Sequence, residues 1–194
     1  MTWPPEIELV GPHVRLTPLR PDHGPALVEA VRDGELWKLW FTFVAAPEEM
    51  ATDIERRLAL PMSTQFTVIE LATGAAVGLT AYLNTDSQDR RLEIGSTWYR
   101  RRAQRTAINS ECKRLLLEHA FEALDCIAVE FRTHFFNRDS RRAIERLGAK
   151  LDGVLRSHMR MRDGSLRDTC VYSITAAEWP TVRANLDARL SRSG

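Results

Sequence analysis

Three observations predict an α+β domain of mixed strand direction. Segments whose apolar residues recur at every second position dominate the middle and end of the chain, and segments with helical spacing precede and separate them. The turn signals Thr73-Gly74 and Asp163-Gly164 join neighbouring strands directly, so most neighbours must be antiparallel. One strand-helix-strand passage in the second half supplies a crossover, which makes the sheet mixed. A chain of 194 residues, 44% apolar and 27% charged, can close one core, and a single domain over 1–194 is expected.

Residues 13–19 alternate, with Val14, Leu16 and Leu19 apolar, as an opening strand that ends at Pro18. After the turn signal Pro21-Asp22-His23-Gly24, Pro25 opens a helix with Leu27, Val28 and Val31 on one face and a stop near Gly34. A second helix follows Pro47. Its Glu48 and Glu49 suit the positive end of the helix dipole, and its expected stripe is Ile54, Leu58 and Leu60. These two helices should form one layer.

The period then changes to two. Phe66, Val68, Ile69 and Leu71 give a strand, Thr73-Gly74 a turn, and residues 76–83 its hairpin partner; after a polar loop, residues 91–100 give the next strand. Residues 106–124 carry Ile108, Leu115, Leu116, His119 and Phe121 near helical spacing. A strand over 127–133, a turn at Asn137 and a helix over 140–147 stopped by Gly148 follow. Residues 151–162 and 166–175 form a closing hairpin, and 176–190 a polar helix.

Composition narrows function. Basic and acidic residues number 27 and 26, a net charge of +1, so no overall field recruits nucleic acid or an anionic membrane. Residues Met1 to Pro5 show no basic and apolar leader pattern, and no run of about 18 apolar residues suits a membrane span, so a cytoplasmic protein is expected. Cys112, Cys126 and Cys170 form no Cys-x-x-Cys pair and read as idle thiols. The five histidines lack chelating spacing, so no metal is expected.

Two stretches carry chemistry. The first, from Arg100 through Arg101, Arg102, Gln104 and Arg105 to Thr106, is a basic loop ahead of the long helix. Unpaired N–H groups and the dipole of a first helical turn stabilise an anion, and arginines add charged donors. A solvated basic loop is the other reading of the same residues. The second, Asn137-Arg138-Asp139-Ser140-Arg141, begins a short helix that Asn137 or Ser140 caps and Gly148 ends.

Together, in this order, these stretches resemble the GNAT family of N-acetyltransferases, in its RimJ/RimL-like branch. Val14-Arg15-Leu16-Thr17-Pro18-Leu19 is similar to that branch's first strand, Leu92-Glu93-Ile94-Gly95 to its central strand, Ala143-Ile144-Glu145-Arg146-Leu147-Gly148-Ala149 to its second signature, and residues 163–169 to its last hairpin. The resemblance implies a GNAT-like fold with helices on both faces of a mostly antiparallel sheet that is splayed in the middle. It further implies acetyl-CoA as co-substrate and an amine acceptor, either a protein N-terminus or a small molecule, and makes a homodimer an expectation.

Residue by residue, the resemblance maps the pyrophosphate loop onto Gln104, Arg105, Thr106, Ala107, Ile108 and Asn109, with Arg102 and Arg141 as further phosphate contacts. Ala107 and Asn109 stand where the family has glycine. Ile94, Ser96, Trp98 and Thr133 would flank the pantetheine, and Asn137 would bind coenzyme. The implied chemistry is direct attack by a neutral amine, with a backbone N–H of the central strand stabilising the oxyanion. Glu93 is the candidate general base. The family's tyrosine position is Ile144 here, so Ser140 is the candidate proton donor to the thiolate. Trp37, Trp40 and Phe41, from an aromatic cluster between the first two helices, are candidates for the acceptor wall; core packing or a dimer contact are the other readings. A non-catalytic acyl-CoA sensor and a nucleic-acid binder remain as competing functions.

Overall fold

The computed structural model describes residues 3–192; the expected bounds 1–194 reach past it by residues that lie outside the described ones. Eight strands form one sheet: β1 (Leu9–Val10), β2 (Val14–Pro18), β3 (Thr64–Glu70), β4 (Ala76–Asp86), β5 (Arg91–Tyr99), β6 (Ala128–His134), β7 (Lys150–Arg160) and β8 (Leu166–Thr175). Their order is β1-β2-β3-β4-β5-β6-β8-β7, and among these neighbours only β5 and β6 run parallel. The α+β class and the mixed, mostly antiparallel sheet are those the sequence predicts.

Helices cover both faces. Helices α1 (Gly24–Arg32) and α2 (Met50–Leu58) bury Leu27, Val31, Met50 and Ile54 against Leu79 and Trp98. On the opposite face, α3 (Ala107–Glu118), α4 (Arg138–Leu147) and α5 (Trp179–Leu190) pack Cys112, Leu116, Leu147 and Leu186 against Val68, Ile94, Phe131 and Tyr172. Removing this apolar surface from water, at roughly 25 cal/mol per Å², is what holds the layers together.

Two expectations on helices need correction. The stripe of α2 does not use Leu58 and Leu60, which are exposed; the buried face is Met50, Asp53, Ile54 and Arg57, because Asp53 and Arg57 pair within the helix at 2.6 Å and enter the interior as a neutralised unit. The long helix is regular only to Glu118, and His119–Ala123 continues as a π turn, placing His119 beside the Tyr82 ring and hydroxyl. Helix α3 is also latched to β2. The buried Glu111 accepts the backbone N–H groups of His13 at 2.8 Å and Val14 at 3.1 Å and meets His13 Nδ1 at 2.6 Å.

Candidate active site

The feature that organises the site is a short pairing. β5 and β6 are in register only at Arg91↔Ala128, Leu92↔Val129 and Glu93↔Glu130. Beyond that rung, residues 94–99 keep their pairing with β4 and residues 131–134 with β8, so the two strands diverge and leave a wedge between their inner edges. Backbone N–H and C=O groups along the wedge have no strand partner across it, and such groups need one.

A bulge sits beside the opening. Leu79 pairs with Trp98 but Ala81 with Gly95, so Ser96 and Thr97 together oppose Thr80, and Ser96 adopts φ 49°. A bulge of this kind turns the strand and re-aims its backbone groups. Underneath, Thr97 Oγ1 lies 2.8 Å from Thr80 Oγ1, and the buried Lys113 of α3 donates to Thr97 at 2.9 Å and Thr80 at 3.4 Å.

Glu93 stands on the last rung. It is only 7% exposed, accepts a hydrogen bond from Asn84 Nδ2 at 2.8 Å, and lies 3.6 Å from Arg132 Nε. Burial pushes its carboxyl above the usual range, against the pull of the Arg132 cation and the Asn84 hydrogen bond. Glu130 in the next strand behaves oppositely: burial opposes ionisation, but Arg91 and Arg132 hold it below the usual range. Neighbouring carboxylates thus differ, with the higher at the wedge, the direction of displacement that suits a proton-accepting group.

Because β5 and β6 are parallel, the helices that follow them both begin at the open end. Thr106 caps α3, its Oγ1 accepting from Ile108 N at 3.3 Å; Arg105 before it has φ 61°, and Gln104 Nε2 donates to Tyr99 O at 2.9 Å. Ala107 and Asn109 sit inside the regular first turn, so neither position needs glycine for its backbone. Arg102 is not free for phosphate: it pairs with Glu70 at 3.2 Å while its backbone N–H reaches Asp33. Arg100 is likewise held by Asp33, whereas the Arg101 and Arg105 guanidinia have no carboxylate partner among the described residues.

At α4 the cap is Asn137, whose Oδ1 accepts from Ser140 N at 3.1 Å, leaving the Ser140 hydroxyl outside the capping bond. Arg141 is engaged by the fold: its Nε donates to Tyr172 OH at 2.9 Å and its guanidinium carbon lies over the Phe135 ring, 4.9 Å from the centroid. Trp98 also differs from expectation, since its ring packs into the α1/α2 core rather than the wedge, and Trp37 packs against the same core, the core-packing reading left open for it. Ile94 packs its side chain into the other core, and Thr133, also buried, lies opposite Cys170 in the β6–β8 register. Trp40 and Phe41 instead reach the end of β6, where the Trp40 ring meets His134 at 5.0 Å and Phe136 at 6.0 Å.

Several residues lie at this site that the sequence did not single out: Asn84, Lys113, Arg132, His134 and Arg167. The alternation Glu130, Arg132, His134 was a readable signal that one face of β6 is polar. The three cysteines are buried and free, and burial pushes the Cys112 thiol up to about 12 and Cys126 to about 11, leaving neither as a ready nucleophile. Among the described residues no helix is long and apolar enough to cross a membrane, and no group of three or more His, Cys, Asp or Glu could hold a metal ion.

Residues 13–150 match the acetyltransferase (GNAT) domain family. A solved structure assigned as an acetyltransferase is 35% identical, with TM-score 0.87, covering 98% of this chain and 96% of its own. A GCN5-related N-acetyltransferase from Brucella melitensis is 29% identical over 96% of this chain and 86% of that one, also at TM-score 0.87. A third, assigned as an acetyltransferase from T. thermophilus, is 35% identical over 97% of this chain and 99% of that one, at TM-score 0.86. A comparison with curated proteins finds no match. With its domain match, its wedge between parallel central strands and its solved relatives at 35% identity, the chain belongs to the GNAT family and is an acetyl-CoA-dependent acyltransferase.

Proposed function

We propose that this enzyme moves the acetyl group of acetyl-CoA to a primary amine, the N-terminal amine of a protein or peptide, in the manner of the RimJ/RimL-like branch. The observation that carries the chemistry is the buried Glu93 carboxylate on the last rung before β5 and β6 part. The co-substrate supplies an activated thioester. The unpaired edges of β5 and β6 suit the amides of its pantetheine arm, and the first turns of α3 and α4, with Arg101 and Arg105, suit its phosphates; the side chains of Ala107 and Asn109 narrow the approach.

An ammonium near pKa 8 must lose its proton before attack, and Glu93 accepts it directly or through one water. Backbone N–H groups at the bulge stabilise the developing oxyanion. Ser140, in the first turn of α4, passes to the departing thiolate the proton that the attacking nitrogen sheds as the tetrahedral intermediate collapses, so its hydroxyl is restored in the same step. Trp40 is 51% exposed and Phe136 59%, so the acceptor side has aromatic walls but is open to solvent, which favours an acceptor whose chain continues outward. The RimL ribosomal L7/L12 alpha-N-protein acetyltransferase, described in complex with coenzyme A, shares this fold at 17% identity and TM-score 0.73.

Calorimetric titration of acetyl-CoA, followed by thiol release with peptides of varied N-terminus and with small amines, tests the reading. Release with peptides alone supports it. Release with small amines alone moves the acceptor to that class, and binding without release makes the protein an acyl-CoA sensor.

A further inference from the structure

The face of β5, β6 and β8 that carries Glu93 holds two groups for which acetyl transfer has no use. His134, at the end of β6, is 2% exposed. Its Nδ1 accepts the Phe136 backbone N–H at 3.0 Å, which places the neutral ring's proton on Nε2. That buried Nε2 has no hydrogen-bond partner among the described residues, and such orphans call for an explanation. Burial and the nearby Arg167 cation keep the ring neutral, with Asp168 opposing them, so Nε2–H is a donor.

Arg167 is the second group. It donates from Nε to Thr169 Oγ1 at 2.9 Å, and Thr169 lies directly across from His134 in the β6–β8 register. Its charge has no ion pair among the described residues. Glu93 and Arg132 both act on it electrostatically, which places it on the Glu93 side of the sheet. The other charges there are already balanced: Glu130 is shared by Arg91 and Arg132, and Arg132 also faces Glu93. Asp168 is the next residue along β8, so it points to the other face, where it accepts the Ser157 N–H. One partly buried positive charge is left over, beside one buried neutral donor, under the aromatic edge of Trp40.

We propose that Arg167 and His134 bind a carboxylate that the acceptor carries close to its amine, making the acceptor an α-amino acid, either free or as an acidic residue at a peptide N-terminus. A carboxylate has the single charge that Arg167 lacks a partner for, and two oxygens to share between a guanidinium and an imidazole N–H. A phosphate dianion would leave excess negative charge beside Glu93. The proposal rests on Glu93 marking the amine's position in the acetyl-transfer reading above.

Calorimetric titrations into the protein saturated with coenzyme A, using matched probes, test it: alanine against alaninamide, and the amidated tetrapeptide Asp-Ala-Ala-Ala against Asn-Ala-Ala-Ala. One acid should bind about tenfold or more tightly than its amide partner. The pair that shows the difference tells a free amino acid from an acidic peptide terminus. Arg167→Met should bring that pair within about twofold, while Arg167→Lys, which keeps the charge, should retain part of the preference. His134→Asn, which still offers an acceptor to the Phe136 N–H, should shrink the preference severalfold. Equal binding in both pairs, no binding of any probe, or a preference that survives Arg167→Met in a folded protein overturns the proposal. Thiol release from acetyl-CoA with the same probes is read separately: acid-selective binding without release sinks the transferase reading alone, and release without acid selectivity sinks the carboxylate site alone.

Discussion

The carboxylate of Glu93 occupies the space that a side chain at Gly95 would need. A Cβ on Gly95 would stand 2.6 Å from Glu93 Oε1 and 3.0 Å from Leu83 Cδ1. Both residues point to the same face of β5, so the missing side chain is what lets the proposed base lie flat against its own strand. Gly95→Ala should therefore displace a flexible carboxylate more readily than the backbone. The expected outcome is a fall in kcat of about tenfold or more with a melting temperature within a few degrees of wild type. A variant that keeps full turnover would show that Glu93 need not sit where it does.

Replacing the carboxylate itself separates function from stability. Burial raises the Glu93 pKa in the folded state, so as base it gains activity as pH rises through that raised value. The acidic limb of kcat/KM should lie above the ordinary carboxylate range, and Glu93→Gln should flatten it and slow turnover about 100-fold. Stability runs the other way. A folded state that holds its proton more tightly than the unfolded chain is favoured at low pH, and that advantage is lost as pH rises through the folded pKa. Above that raised value the ionised, buried carboxylate is a cost, and Arg132 keeps Glu130 at 2.9 Å when Glu93 is neutralised. Glu93→Gln is thus expected to melt higher, by about 2–4 °C for each kcal/mol relieved. Lower activity with a lower melting temperature would instead mark Glu93 as a structural ion-pair member.

Ser140 offers a cleaner test than most helix-start serines. Asn137 makes the capping bond, accepting from the Ser140 N–H at 3.1 Å, and Ser140→Ala preserves that N–H. The variant should fold and bind coenzyme A as wild type does while kcat falls about tenfold, as expected of a lost proton donor. Steady-state kinetics beside calorimetry read the two quantities apart; unchanged kcat removes Ser140 from the reaction.

The elements of the sheet were legible because period-two patterns and turn residues are local signals. Phe66 to Leu71 and the Asp163-Gly164 turn announce themselves without knowledge of any partner. What crosses the sheet was not legible. Nothing in the local sequence says that β5 and β6 stop pairing after Glu93, since register is a property of two strands that are brought together by the crossover helix. Arg102 and Arg141 read as phosphate ligands by residue type, yet Glu70 and Tyr172 claim them through tertiary contacts. Trp98 read as a wall of the wedge, but the bulge at Ser96 shifts the alternation of β5 and turns its ring into the α1/α2 core.

Lys113 gave no signal at all, because a lysine in an amphipathic helix is ordinarily solvated. Here its ammonium is buried with, among the described residues, only the hydroxyls of Thr80 and Thr97 as hydrogen-bond partners, and burial pushes its pKa down to about 8 from 10.5. The unfolded chain therefore binds the proton more tightly than the folded one. Below about pH 8 both states are charged and the full desolvation cost is present, of the order of 3 kcal/mol from a displacement of that size. Between about pH 8 and 10.5 the folded state sheds the proton first, so stability should rise with pH across that window. Lys113→Met keeps the volume, leaves Thr80 and Thr97 hydrogen-bonded to each other at 2.8 Å, and removes the charge. Thermal melts at pH 7 and pH 10 should show the variant several degrees more stable at pH 7 and the difference shrinking at pH 10. Since Thr97 forms the bulge beside the wedge, turnover should fall severalfold in the same variant, the cost in stability being what holds the bulge in place. A variant less stable than wild type at pH 7 would mean that the ammonium is solvated or paired in the folded protein, and that the bulge does not depend on a buried charge.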